Sequence, residues 1–475
     1  MLRRAANSER TTGSPGGTAR GGWLRGPNRS LFLAVLVAAA WTLAFFLRAR
    51  SIAFEHDTRG YIWMAQLMTG AIPEESVPRE VWDTLFSVRL AGYPGFLTPF
   101  TAIGLTGEGL RAAVTVVQFI AYVASVVFLE RAVVASGGRR AARRISVALL
   151  VLPFPYILVV EVLTETLSLA LTLAVTAASL LAEARPAHRW RWYGAAACMA
   201  GMAVLIRPDN PHVAVIPVAV AGAHAWLRFR SGDARLAGGA GLTAAVAALT
   251  GVVALAWRVP QFLMTHWYFG TGNLDLPTSS AVPEFRVGVT ILKWVTGVGD
   301  VSGAVTYRNP FLTLEDAQRY GDGILRWYTD EPVQGLALVG LKYFALVDQD
   351  APYVYNTSIP DGAPWWVFVI NHALVVLGIA GAVTAAMRFR RLGPGARAAV
   401  LALALTAAAW LAVHALPHVE ARYGLPALTG LAILAGWFAT RERLKRAWIA
   451  LAVTLVLYLP AAYVLSDWLR DFRTG

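Results

Sequence analysis

The chain has 475 residues, 56% of them hydrophobic, with a formal net charge of +13 and one cysteine. A single cysteine, Cys198, excludes a disulfide framework or a cysteine-rich zinc site within the chain. The arginines fall in short clusters between apolar runs rather than along one soluble face, so the positive charge reports membrane orientation and not a nucleic-acid partner.

Apolar runs of roughly 17 to 25 residues, enough to cross about 30 Å of hydrocarbon, recur along the chain and define an all-α polytopic membrane protein. Residues 1–30 are rich in Gly, Ser, Thr and Arg, too poor in aliphatic side chains to offset the entropy of ordering, and read as a disordered cytosolic tail. Leu31 to Leu47 is the first span. The basic leader before it and the bulky Arg48 and Arg50 after it favour a retained anchor over a cleaved signal peptide. Further spans are expected at 111–130, 145–160, 166–184, 193–206, 212–227, 236–256, 366–387, 398–416, 424–440 and 447–465, about eleven in all.

Alternate connections carry the Lys/Arg excess expected of cytosolic loops: 131–144, 185–191, 228–235, 388–397 and 441–446, all on the side of the amino-terminal tail. The opposite connections at 48–110 and 257–365 are long, acidic and aromatic, which places the functional side outside the cytosol of an inner, plasma-type membrane. The chain thus divides into a transmembrane module at 31–256 with the outer loop 48–110, an extracytoplasmic subdomain at 257–365, and carboxy-terminal spans within 366–475. Residues 333–347 read as an interfacial helix, because one more crossing would invert the side of both later basic loops.

The spans hold few ionisable groups. Gln118, Asn371 and His372 are among the few polar side chains, and no Asp, Glu, Lys or Arg is central. A charge at the bilayer centre costs about 2.5 to 3.5 kcal/mol, which ion-coupled transporters accept to build a pathway. Neither such charges nor the paired Gly/Pro-broken helices of transporters are present, which argues against a transporter or lipid flippase. An inactive scaffold is the other alternative, separable by activity.

Polar chemistry gathers at the outer ends instead. In "FEHDTRGYIWMAQ" (54–66), Glu55, His56 and Asp57 open a short surface helix carrying Asp57, Tyr61, Met64, Ala65 and Met68 at helical spacing and ending at Gly70. An N-cap role accounts for Asp57 in isolation. Next, "RLAGYPGFL" sets Arg89 before a Gly-Tyr-Pro-Gly turn containing Tyr93. "EVLTETLSLAL" puts Glu161 and Glu165 at i and i+4, carboxylates that repel unless paired, metal-bound or protonated; solvated helix ends would need no function. "LIRPDNPH" brings Arg207, Asp209 and His212 to the same side, and "LPHVEARYGLPAL" adds His418, Glu420, Arg422 and Tyr423. Acids and arginines at four outer corners suit one reaction: a carboxylate removes a hydroxyl proton while guanidinium groups hold a departing phosphate. Interface anchoring is the competing explanation for the Tyr and Arg residues. His56, Glu165, His418 and Glu420 have the chemistry to ligate a divalent cation, without a spacing signature for one.

The succession "HDTRGYIWMAQLMTG", "RLAGYPGFLTPF", "LTETLSLAL", "GMAVLIRPD" and "PHVEARYGLPAL" resembles the GT-C superfamily of integral-membrane glycosyltransferases, which use polyprenyl-phosphate-linked sugars, and most closely its protein O-mannosyltransferase and aminoarabinose transferase branch. The resemblance covers most of residues 31–440. It implies an extracytoplasmic acceptor, a glycolipid, polysaccharide or protein, and a catalytic base at Asp57, with Glu55 a candidate to share the role because the family's usual Asp-Glu pair is replaced here by Glu-His-Asp. It places Glu165, Arg207, Arg422 and Tyr423 at the acidic, Arg-Pro and Arg-Tyr positions of the later outer corners.

Overall fold

The structure, a computed structural model, describes residues 28–48, 56–76, 91–207, 212–232, 236–256, 324–348, 365–415, 424–438 and 444–474. Among the described residues the regular structure is entirely helical. The first span, α1 (Asn28–Arg48), precedes two short helices, α2 (His56–Met68) and α3 (Gly92–Ala102), and the long α4 (Gly107–Ala135). The first half continues through α5 (Arg139–Val151), α6 (Phe154–Val159), α7 (Glu165–Ala184), α8 (Arg189–Ile206), α9 (His212–Ser231) and α10 (Leu236–Ala256). Then come α11 (Ile324–Asp330) and α12 (Pro332–Val347), followed by α13 (Trp365–Met387), α14 (Pro394–Ala415), α15 (Gly424–Phe438) and α16 (Leu444–Thr474).

Among the described residues, six stretches, within α1, α4, α7, α9, α13 and α16, are long and apolar enough to cross a membrane; α10, α12, α14 and α15 hold shorter apolar stretches. The chain is a multi-pass membrane protein. The helix expected at 145–160 is not continuous. Leu152, preceding Pro153, is extended (φ −67°, ψ 137°), as steric conflict with the proline ring requires, and a short buried helix then starts with Pro155 in its first turn.

A helix broken within a membrane bundle leaves carbonyls that no water reaches. Three side chains satisfy those at the end of α5: Tyr122 Oη donates to Leu149 O at 2.8 Å, Tyr156 Oη to Leu150 O at 2.8 Å and Trp41 Nε1 to Val151 O at 3.0 Å. The amide of Gln118 does the same beyond α6, donating from Nε2 to Val159 O at 3.1 Å and Glu161 O at 2.8 Å. Gln118 is thus placed by the break in α5–α6, and residues 160–164 form a supported corner rather than a helix.

The main core joins α1, α4, α5, α6, α7, α13 and α15. Small residues permit close approach where α13 meets α15: a side chain at Gly381 would collide with the backbone of Leu434, and one at Gly378 with Leu431. Asn371 and His372, polar within α13, fasten the end of α12. His372 Nε2 lies 3.2 Å from Asp348 Oδ1 and its Nδ1 2.9 Å from Tyr458 Oη. Ser466 donates to Asp348 Oδ2 at 2.8 Å, and Asn371 Nδ2 to Asp348 O at 3.2 Å. The end of α12 is thereby tied to α13 and α16.

Candidate functional site

A second core cluster lies where α2, α3 and the corner 160–164 meet the bundle. It contains Ile62 and Ala65 of α2, Tyr93 and Leu97 of α3, Leu110 and Val114 of α4, Val162 of the corner, Leu167 of α7 and Ile206 of α8. Helix α3 seats closely on the end of α8: a Cβ at Gly92 would stand 2.6 Å from Leu205 O and 2.7 Å from Ile206 N, so only glycine fits. The Gly-Tyr-Pro-Gly segment expected as a turn is the first turn of this helix, where a proline's missing N–H forfeits no hydrogen bond.

Above this cluster, Arg207, the residue ending α8, reaches across to α7. Its Nη1 sits 2.6 Å from Glu165 Oε1, and both side chains are buried, 9% and 2% exposed. Glu165 is the first residue of α7, where the unsatisfied N–H groups of the helix favour a carboxylate. Thr164 Oγ1 lies 3.3 Å from Glu165 Oε2. The spacing that suggested Glu161 and Glu165 on one helix face does not hold, since Glu161 belongs to the corner held by Gln118. Both acids are buried.

Tyr93 is fully buried, and its ring meets Tyr61 edge-on at 5.1 Å. Burial, followed by the charge of Glu165, the phenol of Tyr61 and the charge of Glu161, holds its hydroxyl pKa well above the ordinary tyrosine value. Tyr93 is therefore a neutral hydroxyl at physiological pH, and its oxygen has no hydrogen-bond partner among the described residues. Tyr61 stands one turn after Asp57 on α2, so the two positions share a helix face. Asp57 lies within the first turn of that helix, which begins at His56.

The structure therefore brings Tyr61, Tyr93, Glu165 and Arg207 together, and α2, which carries Asp57, packs against α3 with Tyr61 on Tyr93. Glu55, Arg89, His418, Glu420, Arg422 and Tyr423 lie outside the described residues, as do the side chains of His56 and Asp57. Of the groups suited to a divalent cation, Glu165 is engaged by Arg207, and no cluster of three His, Cys, Asp or Glu side chains is present among the described residues. Sequence reasoning missed Arg111, Thr115 and Thr164, and noted Gln118 only as polar. A glutamine in an otherwise apolar run was the available signal for the last of these.

No family model matches the sequence, and no curated protein matches it. The structure is similar to that of the archaeal oligosaccharyltransferase AglB from Archaeoglobus fulgidus in complex with an inhibitory peptide and a dolichol-phosphate, with a TM-score of 0.50 and 13% identity over 94% of this chain and 56% of that chain. The fold is of the GT-C type. The apo form of the same oligosaccharyltransferase gives a TM-score of 0.49 at 15% identity, again over 94% of this chain and 56% of that one. The chain spans just over half the length of the solved GT-C chains it matches. With identity this low, the shared property is the GT-C architecture, and the chemistry rests on the residues of the site.

Proposed function

We propose that this chain is a glycosyltransferase that moves a sugar from a polyprenyl-phosphate donor to an extracytoplasmic acceptor. The observation that carries this reading is the convergence of α2, α3, the corner 160–164 and the end of α8 on the buried Glu165–Arg207 pair, with Tyr61 and Tyr93 beside it. The GT-C neighbour's complex with a dolichol-phosphate and an inhibitory peptide supports a lipid-phosphate donor and a separate acceptor.

In this mechanism Asp57, with Glu55 beside it, removes the acceptor's hydroxyl proton, and the freed oxygen attacks the anomeric carbon. The bond from that carbon to the phosphate oxygen breaks, and the lipid phosphate leaves with the electron pair. Arg89, Arg207 and Arg422 balance the charge that develops on the phosphate. Glu165 fixes the direction of Arg207, Tyr93 offers an uncharged hydroxyl, and His418, Glu420 and Tyr423 take part in holding the substrates. One base and one direct displacement invert the anomeric centre, by analogy with inverting glycosidases.

Membranes containing the chain, incubated with polyprenyl-phosphate hexoses and pentoses and an extract of envelope glycolipid, polysaccharide and protein, are expected to release free polyprenyl phosphate in step with sugar appearing on one acceptor. A transporter or flippase would move the donor across the bilayer and leave its glycosidic bond intact. A scaffold would do neither.

A further inference from the structure

Helix α4 bears Arg111, Thr115 and Gln118 at i, i+4 and i+7, one stripe covering roughly 10 Å of its axis, and all three are buried. Each has one polar atom with no hydrogen-bond partner among the described residues: Arg111 Nη1, Thr115 Oγ1 and Gln118 Oε1. Their other atoms are well anchored. Arg111 donates from Nη2 to Phe46 O at 3.1 Å and from Nε to Glu108 Oε2 at 2.9 Å, with its guanidinium 4.1 Å above the Phe46 ring. Gln118 has Nε2 committed to two carbonyls, Val159 O and Glu161 O. Turning its amide over would aim Oε1 at both carbonyls, so the unsatisfied atom is the acceptor. Thr115, unlike most other threonines and serines of these spans, does not donate to the carbonyl one turn back.

Buried polar atoms are ordinarily satisfied by protein groups or ordered water, and three on a single stripe without a protein partner among the described residues form a set for a hydrogen-bonding guest. The stripe adjoins the site already described. Val114, next to Thr115, packs in one cluster with Tyr93 and Val162, and Gln118 holds the carbonyl of Glu161. The three groups differ usefully: a guanidinium donor near the outer end, a hydroxyl in the middle, and an amide acceptor deeper in. A sugar phosphate presents the matching set, anionic oxygens followed by hydroxyls that both donate and accept.

Resting on the transferase reading above, we infer that α4 carries the recognition track for the donor headgroup. Arg111 donates from Nη1 to a phosphate oxygen, and Thr115 and Gln118 exchange hydrogen bonds with hydroxyls of the sugar. None of these residues is assigned a part in breaking the glycosidic bond. They set which sugar is held and how it is turned toward Asp57.

The test is binding by the purified full chain in nanodiscs, read by ligand-induced thermal shift, with four probes: polyprenyl phosphate and its mannosyl, glucosyl and aminoarabinosyl forms. The parent is expected to bind one sugar-bearing form more tightly than the bare lipid phosphate. Thr115→Val should bind the bare lipid phosphate like the parent and that sugar form about tenfold more weakly, the loss of about one hydrogen bond. Its unliganded midpoint should stay equal or rise, because the deleted hydroxyl has no partner to orphan. Arg111→Lys keeps the charge but loses the fork, and should weaken all the bound probes about tenfold. If both variants bind every probe as the parent does, or the parent binds none, the track is refuted. A parent that binds through these residues yet never releases lipid phosphate would refute the transferase reading and leave the track intact.

Discussion

Arg207 and Glu165 lie 42 positions apart in the chain and become one unit only through folding. Their 2.6 Å contact is nearly dry, so its value lies less in net attraction than in the penalty for leaving either charge alone. Glu165→Gln keeps the side chain's size and removes the carboxylate charge facing the guanidinium. It is expected to destabilise the protein by about 3 to 5 kcal/mol, seen as a lower thermal midpoint, and adding Arg207→Gln should recover most of that loss, a coupling a double-mutant cycle reads directly. The sequence marked both residues as polar groups at outer corners but could not pair them, because partners on different helices leave no spacing signal. Glu161 is the converse case: its four-residue separation from Glu165 looked helical, yet the corner held by Gln118 intervenes.

The elements themselves were largely legible, since apolar runs bounded by arginine clusters are the means by which a chain declares its spans. Helices α7, α10 and α13 lie within a residue of the limits expected for them. The α5–α6 break was missed because length and hydropathy do not see it, although Pro153 and Pro155 were in plain view. What makes the break tolerable is side-chain support: Trp41, Tyr122 and Tyr156 satisfy the carbonyls at the end of α5, and Gln118 satisfies those beyond α6. Gln118→Leu should therefore act at this scale. It leaves two buried carbonyls unsatisfied, at about 1 to 3 kcal/mol each, and should free the corner, detectable as faster backbone hydrogen exchange across residues 160–164 with exchange in α9 unchanged. Equal exchange at both places would mean that the corner does not depend on the amide.

At the scale of the molecule, the chain is a helical membrane bundle of the GT-C type. The resemblance read from five short motifs agrees with that fold. Donor and acceptor identity were not legible, since the track proposed on α4 depends on the position of side chains such as Thr115 and Gln118 rather than on residue type alone. The proposed mechanism places catalysis on α2, the helix that shares a core cluster with Tyr93, Leu167 and Ile206, with Asp57 as the base. The decisive measurement is the rate of polyprenyl phosphate release by Asp57→Asn, inserted in membranes at the parent's level and saturated with the donor the parent uses. The account predicts a fall of roughly 10² to 10⁴-fold with donor binding retained, the scale of a lost general base. Release at the parent's rate would contradict it.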